Sequence, residues 1–259
     1  MAEKTQDLYL DLMKRVVSNT IYQDAAHGWV QDRDFDAGLP QIGYDADLRA
    51  GGRDIPLVAH TMIGRKRLDN VHDCVERVLL DGVPGDLVET GVWRGGATIF
   101  MRAVLRAFGV TDRTVWVADS FEGIPQGDPE KYPGDELAPL YRFNDVFGVP
   151  METVQENFRR YGLLDDQVRF LKGYFRDTLP TAPVERIAVL RLDGDLYEST
   201  MDALVHLFPK VAVGGYVIVD DYRALPPCRV AVYQYRREHG ITDPIEEIDG
   251  VGVFWRRTR

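Results

Sequence analysis

The sequence predicts an α/β protein built on a doubly wound, mostly parallel sheet. Three observations lead there. Short apolar runs alternate with amphipathic segments from residue 86 onward. Between the runs lies room for crossover helices, which parallel neighbours require. Several of the runs end in acids, as strand tips facing a ligand do in such sheets. With 259 residues and 45% hydrophobic content, the chain is long enough to bury one sizeable core, so a single domain is expected.

The elements follow in order. Residues 7–17 (DLYLDLMKRVV) carry apolar side chains near helical spacing and predict a short helix packed on the body. Residues 23–56 are rich in Asp and Gly and weak in periodicity. Such a stretch is either disordered or a functional lid, and its isolated aromatics Trp29, Phe35 and Tyr44 favour a lid that closes on a ligand. Residues 1–56 are therefore read as an N-terminal helix and lid, and 57–259 as the core. Helical patterning returns over 57–80. Strands are expected at 86–90, 114–119, 167–173, 186–193 and 214–221, and helices at 95–109, 150–163, 197–211 and 226–241. The stretches IEEID and VGVFWRR close the chain as paired strands. Residues 122–149, rich in proline and acids, interrupt the alternation directly after a strand. They are read as an insertion on the ligand side of the sheet.

Composition excludes several roles. There are 31 basic and 41 acidic residues, a net charge of −10 and a pI near 5.0. Gripping a phosphate backbone or coating an anionic membrane requires the opposite balance, so neither nucleic acid nor membrane is expected as a partner. No apolar run approaches the ~18 residues of a membrane span. The amino terminus lacks the apolar core of a signal peptide. Cys74 and Cys228 form no CxxC pair, and a reducing, cytoplasmic location is expected.

Three motifs carry chemistry. The first, Glu89-Thr90-Gly91-Val92-Trp93-Arg94-Gly95-Gly96, joins a strand to a helix. Gly91 permits a tight turn and close backbone approach. It is neither GxGxxG nor a P-loop, which argues against a dinucleotide oxidoreductase and against phosphate cradling. An acid at the strand tip with a spaced glycine pair resembles the amino-acid side of an S-adenosylmethionine pocket. The second motif ends a strand in Asp119-Ser120-Phe121. An acid at this place accepts hydrogen bonds from ribose hydroxyls, and Phe121 is placed near a purine; the alternative is that Asp119 caps the next segment. In the third, Leu190 to Asp195 ends one strand and Val217 to Asp221 the next. Adjacent parallel strands would bring Asp193, Asp220 and Asp221 to one edge. Three facing carboxylates repel one another unless a cation neutralises them, and all-oxygen ligands favour Mg²⁺ or Ca²⁺. The alternative is that these acids cap helices separately. Among five scattered histidines, His60 is a candidate to face the site and His206 reads as structural.

These residues resemble the macrocin O-methyltransferase family of antibiotic biosynthesis, which includes mycinamicin, tylosin and noviose-type sugar methyltransferases. The likeness runs through LYLDLMKRVVSNTIYQD (8–24), VAHTMIG (58–64), RLDNVHDCVE (67–76), DGVPGDLVETGVWRGGA (81–97), RTVWVADSFEG (113–123), RYGLLDDQVRFLKGYFRDTLPTAPVER (160–186), LRLDGDLYESTMD (190–202) and GGYVIVDDY (214–222). It is weaker at 25–56 and 124–148, the segments that would shape the acceptor pocket. The resemblance implies a Rossmann-like class I methyltransferase fold, and transfer of a methyl group from S-adenosylmethionine to a sugar hydroxyl of a glycoside with Mg²⁺. It places Glu89 and Gly91 at the methionine end, Asp119 at the ribose, and Ser120, Phe121, Gly173, Tyr174 and Phe175 around the adenine, with Thr90 and Asp195 as further cofactor-binding residues. Thr61 and Met62 would stand at the cofactor–acceptor junction. Asp193, Asp220 and Asp221 would be the metal ligands, with Asp193 also the general base.

Catechol methyltransferases, which resemble this site, place a lysine three residues after the first metal aspartate. Leu196 stands there and argues for Asp193 as base. The stretch 195–200 is slightly closer to the noviose branch and points to a 4-hydroxyl acceptor. The resemblance further implies a homo-oligomer, dimer or higher; the N-terminal helix and Trp29 segment would act either in their own chain or at a neighbouring subunit's site. The rival readings are methylation of an aglycone hydroxyl or nucleotide sugar, and a non-catalytic cofactor-binding scaffold.

Overall fold

The first helix, α1 (Thr5–Val17), buries Leu10, Met13 and Val17, the three-and-four spacing of an amphipathic face. The structure, a computed structural model, describes residues 5–29, 35–128 and 130–259. Residues 30–34 of the expected lid and residue 129 of the insertion lie outside them.

The described part of 23–56 is built rather than irregular. Strands β1 (Ala26–Gly28), β2 (Gln41–Ile42) and β3 (Asp54–Pro56) form a small antiparallel sheet with β1 central, and α2 (Ala46–Ala50) leads into β3. Strands of two or three residues leave no periodicity to read. What holds them is a buried arginine. Arg49 Nε donates to Asp54 at 2.8 Å, and Nη1 donates to Asp24 at 2.8 Å and to the Ser18 carbonyl at 2.9 Å. Asp24 in turn accepts the backbone amides of Val58 and Ala59.

Helix α3 (Gly64–Leu80) starts seven residues later than the patterning at 57 suggested. The amides of His60 and Thr61 both reach back to the Val17 carbonyl at the end of α1, so 57–63 is a bent connection instead of a helical turn. The core then alternates through β4 (Asp86–Thr90), α4 (Gly96–Ala107), β5 (Val115–Asp119), α5 (Asn144–Phe147), α6 (Met151–Arg160), β6 (Val168–Lys172), α7 (Phe175–Thr178), β7 (Ile187–Leu192), α8 (Tyr197–Leu207), β8 (Val211–Val219) and α9 (Pro226–Glu238), ending in β9 (Glu246–Glu247) and β10 (Val253–Arg256).

These strands form one seven-stranded sheet in the order β6-β5-β4-β7-β8-β10-β9, with the first five parallel and the last two antiparallel. The α/β, doubly wound expectation holds. Alternation along each strand splits the core into two layers. Leu87, Val117, Val189 and Ile218 face α1, α3, α4 and α6. Val88, Ala118, Leu190 and Val217 face α8 and α9. Strand order reverses between β4 and β7, and ligands bind at such a switch point, outside the carboxyl ends of the strands. The free cysteines Cys74 and Cys228 are buried in the two layers. Among the described residues, no helix is long and apolar enough to cross a membrane.

Candidate active site

A cavity of about 570 Å³ opens over the tips of β4, β5, β7 and β8. The β4 tip turns at Gly91, whose φ of +83° is a left-handed value that glycine takes freely. Its amide donates to the Ala118 carbonyl (2.9 Å), fastening the turn to β5. Asp119 accepts the amides of Val92 and Phe121, each at 2.7 Å. Its carboxylate is thereby held at the cavity edge.

Pairing of Leu192 with Val219 puts Asp193 and Asp220 side by side at the ends of β7 and β8. The ligand oxygens of Asp193, Asp220 and Asp221 all lie within 4.8 Å of one another. Two arginines brace them from beneath. Arg191 is fully buried; its Nη1 donates to Glu89 Oε1 and to Asp193 Oδ2 (2.7 Å for the latter), and its Nη2 to Asp220 Oδ1. Arg67 donates to the other oxygen of Asp220, to Asp249 (2.9 Å) and to the Gly52 carbonyl (3.1 Å). Asp221 Oδ2 and Glu89 Oε2 are buried with no partner among the described residues.

The electrostatics follow from this arrangement. Burial lifts the Glu89 carboxyl to about 8, against the pull of Arg191. Asp221 and Asp195 are pushed well above the usual carboxylate range, first by burial and then by neighbouring acids. Asp193 is raised by burial that outweighs Arg191. Asp220 alone is lowered, because Arg191 and Arg67 together overcome its burial. The cluster therefore holds more carboxyls than its two arginines can keep ionised. A hard divalent cation fits it: the donors are all oxygen, they converge, and one buried oxygen is left over.

Most of the residues singled out by sequence meet here. Thr61, Met62, Glu89, Gly91, Asp119, Ser120, Tyr174, Phe175, Asp193, Asp195, Asp220 and Asp221 line the cavity. Three do not. Phe121, at φ +58°, packs in the core 6.1 Å from the Phe170 ring rather than on the cavity wall. Thr90 is fully buried and directs its hydroxyl at the Arg191 carbonyl. Gly173 lies behind Tyr174 and Phe175, its amide spent on the Asp119 carbonyl. His60 also turns away, with Nδ1 2.7 Å from the Tyr161 hydroxyl. Of the lid aromatics, Trp29 and Phe35 line the cavity, while Tyr44 lies under the Arg49 guanidinium.

Sequence reading missed Arg191 and Arg67, the two cations at the centre of the site. Arg191 interrupts an apolar strand and was legible as an anomaly there. Arg67 sits among other basic residues on α3 and gave no signal. Asp135 of the insertion was missed as well. It is buried and accepts the amides of Tyr197 (2.7 Å) and Glu198 (3.3 Å), capping α8 from outside its own segment. This cap ties the middle of the insertion to the start of α8. Glu198 and Asp202, one turn apart on α8, also line the wall.

Comparison with known proteins bears on this geometry. The family described as Macrocin-O-methyltransferase (TylF) matches residues 6–257. The 8-demethyl-8-(2,3-dimethoxy-alpha-L-rhamnosyl)-tetracenomycin-C 4'-O-methyltransferase of Streptomyces olivaceus is 62% identical over 258 residues, covering 100% of this chain and 95% of its own. The Mycinamicin III 3''-O-methyltransferase of Micromonospora griseorubida is 56% identical over 255 residues, covering 97% of each chain. Among solved structures, the O-methyltransferase NovP superposes with a TM-score of 0.91 at 57% identity, over 98% of this chain and 100% of its own.

Proposed function

Because the chain belongs to the macrocin-O-methyltransferase family, we propose that it carries a methyl group from S-adenosylmethionine to a deoxysugar hydroxyl of a glycosylated natural product. The observation that carries the reading is the convergence of Asp193, Asp220 and Asp221 beside Glu89, Gly91 and Asp119 in one cavity. Glu89 and Gly91 would hold the methionine end, Asp119 the ribose, and Tyr174 and Phe175 the adenine. Asp193, Asp220 and Asp221 would hold Mg²⁺. A divalent ion bound there supplies charge that lowers the pKa of a chelated sugar hydroxyl.

The protein's own residues do the rest. Asp193, held through Oδ2 by Arg191, would take the acceptor's proton as general base. The tips of β4 and β7 set cofactor and acceptor side by side, so much of the rate comes from positioning. Leu196 is buried and leaves no lysine to compete for the proton.

Two features support an intact glycoside over a nucleotide sugar. Eight acidic side chains line the cavity against four arginines, which disfavours a diphosphate. The wall formed by Trp29, Phe35, Ile124, Leu140, Phe147 and Leu225 is apolar, and the Trp29 and Phe147 rings stack at 6.0 Å. Such a wall suits an apolar aglycone. The 4' position named for the 62% identical relative supports a 4-hydroxyl acceptor.

The test is methyl transfer followed by mass spectrometry. The enzyme meets S-adenosylmethionine and a panel of deoxysugar glycosides and nucleotide sugars, with Mg²⁺ and with EDTA. A glycoside heavier by one methylene, formed only with Mg²⁺, is the expected result. Methylation of nucleotide sugars alone overturns the acceptor class, and turnover in EDTA overturns the cation.

A further inference from the structure

We propose that Arg191, backed by Arg67, is the positioning residue that assembles the cation's carboxylates before the cation arrives; this rests on the reading of Asp193, Asp220 and Asp221 as ligands. Arg191 stands at the end of β7, between the tips of β4 and β8, with no exposed surface. Its two terminal nitrogens serve three carboxylates on neighbouring strand tips: Nη1 holds Glu89 and Asp193, and Nη2 holds Asp220. Arg67, from α3, takes the second oxygen of Asp220 and is itself held by Asp249 at 2.9 Å. Asp221 has no such grip, and its buried Oδ2 is left open.

The chemistry of the side chain makes the argument. Carboxylates brought together repel, and in a flexible site each cation must first gather its ligands against that repulsion. A planar guanidinium presents donors at fixed separation and so sets two carboxylates at a fixed spacing. It also repels a divalent cation. If only charge balance were needed, an ammonium would serve as well. The fork, shared between two ligands on neighbouring strands, indicates that spacing is what the site requires. The two arginines would thus set the spacing of Asp193 and Asp220, and the cation would complete the site through Asp221.

The experiment measures cation binding apart from turnover. Full-length apo-protein is titrated with Mn²⁺, following the free-ion signal by electron paramagnetic resonance. Binding is compared in wild type, Arg191→Lys, Arg67→Lys and Arg102→Lys. Arg102 is a matched control: it is buried, on α4, and pairs with Asp165 and Gln167 away from the cavity. Arg191→Lys is expected to weaken Mn²⁺ by about tenfold or more, and Arg67→Lys by a smaller factor. The Mg²⁺ concentration for half-maximal methyl transfer should rise in parallel, with kcat recovering at saturating Mg²⁺. Arg102→Lys should melt earlier yet bind Mn²⁺ as wild type does.

A folded Arg191→Lys that binds Mn²⁺ as tightly as wild type, or more tightly, overturns the proposal. If Arg191→Lys does not fold, unchanged binding in Arg67→Lys overturns it. Wild-type protein that takes up no Mn²⁺ removes the ligand reading itself, an outcome distinct from the other two.

Discussion

The carbonyl oxygen of Asp193 occupies the space in which a side chain at Gly91 would begin. The Asp193 amide meanwhile donates to the Thr90 carbonyl at 2.9 Å. The strand tip assigned to the cofactor and the strand tip assigned to the cation are thus in backbone contact. Gly91→Ala must bear about 1–2 kcal/mol for a left-handed backbone alone. It must also drive β4 and β7 apart. The expected outcome is loss of S-adenosylhomocysteine binding by calorimetry together with a lower urea midpoint. Wild-type affinity in this variant would show that the two tips separate freely.

Asp193→Asn keeps the size of the side chain and removes its basicity. If Asp193 takes the proton, kcat falls by about 10²–10⁴-fold. S-adenosylhomocysteine affinity should stay within about threefold, since Glu89 and Asp119 remain. Single-turnover kinetics beside calorimetry separate the two effects. A kcat within tenfold of wild type sinks the assignment of Asp193 as base.

The aromatic wall predicts a different kinetic signature. Trp29→Ala removes a ring stacked at 6.0 Å on Phe147 and leaves the acid cluster untouched. The acceptor KM is expected to rise about tenfold with kcat little changed, the mark of lost uniform binding. Steady-state kinetics with a glycoside and with its free sugar check the point. The free sugar should be indifferent to the substitution.

His60 gives the fold a pH dependence of its own. Burial, then Arg94 and Arg160, depress its pKa from 6.5 to about 4. Between these values the unfolded chain binds a proton that the folded chain refuses, so stability rises with pH across the window. Up to roughly 3 kcal/mol is lost on going from pH 6.5 to pH 4. His60→Gln should flatten that stretch of the melting-temperature profile. An unaltered slope would place the titrating group elsewhere.

Arg49 holds together a segment that has little else to hold it. Arg49→Ala leaves the buried Asp24 and Asp54 without a countercharge, at a cost of about 3–5 kcal/mol. Limited proteolysis should then cut within 23–56 well before the core unfolds. Simultaneous loss of both would show that the small sheet is not a separate unit of stability.

What could be read from the sequence follows the physics of each region. The parallel strands were legible because Leu87, Val88, Val117 and Leu190 form apolar runs that bury both faces of a sheet. Asp193, Asp220 and Asp221 were legible because strand register alone brings them together. The small sheet of 26–56 was not, since Arg49 stabilises it through Asp24 and Asp54 rather than through any local pattern. Phe121 was placed near a purine from its position after Asp119, but its left-handed φ turns the ring into the core. Spacing says which strand a residue follows and says nothing of such a turn. Arg191 showed only as a charge inside an apolar strand, because the sharing of its guanidinium by three carboxylates has no signature in one dimension.

The apolar wall comes largely from Trp29 and Phe35, in the segment before the core, and from Ile124, Leu140 and Phe147, in the insertion. Neither segment lends a strand to the seven-stranded sheet, and neither supplies a member of the acid cluster. On the proposed reading, acceptor recognition and methyl transfer therefore lie in separable stretches of the chain. On that reading, substitutions in these two stretches would change the preferred acceptor while leaving the acid cluster intact. An engineer can do the same by grafting 26–56 and 122–149 together from a relative, provided Arg49 with its aspartates and the Asp135 cap on α8 travel with them.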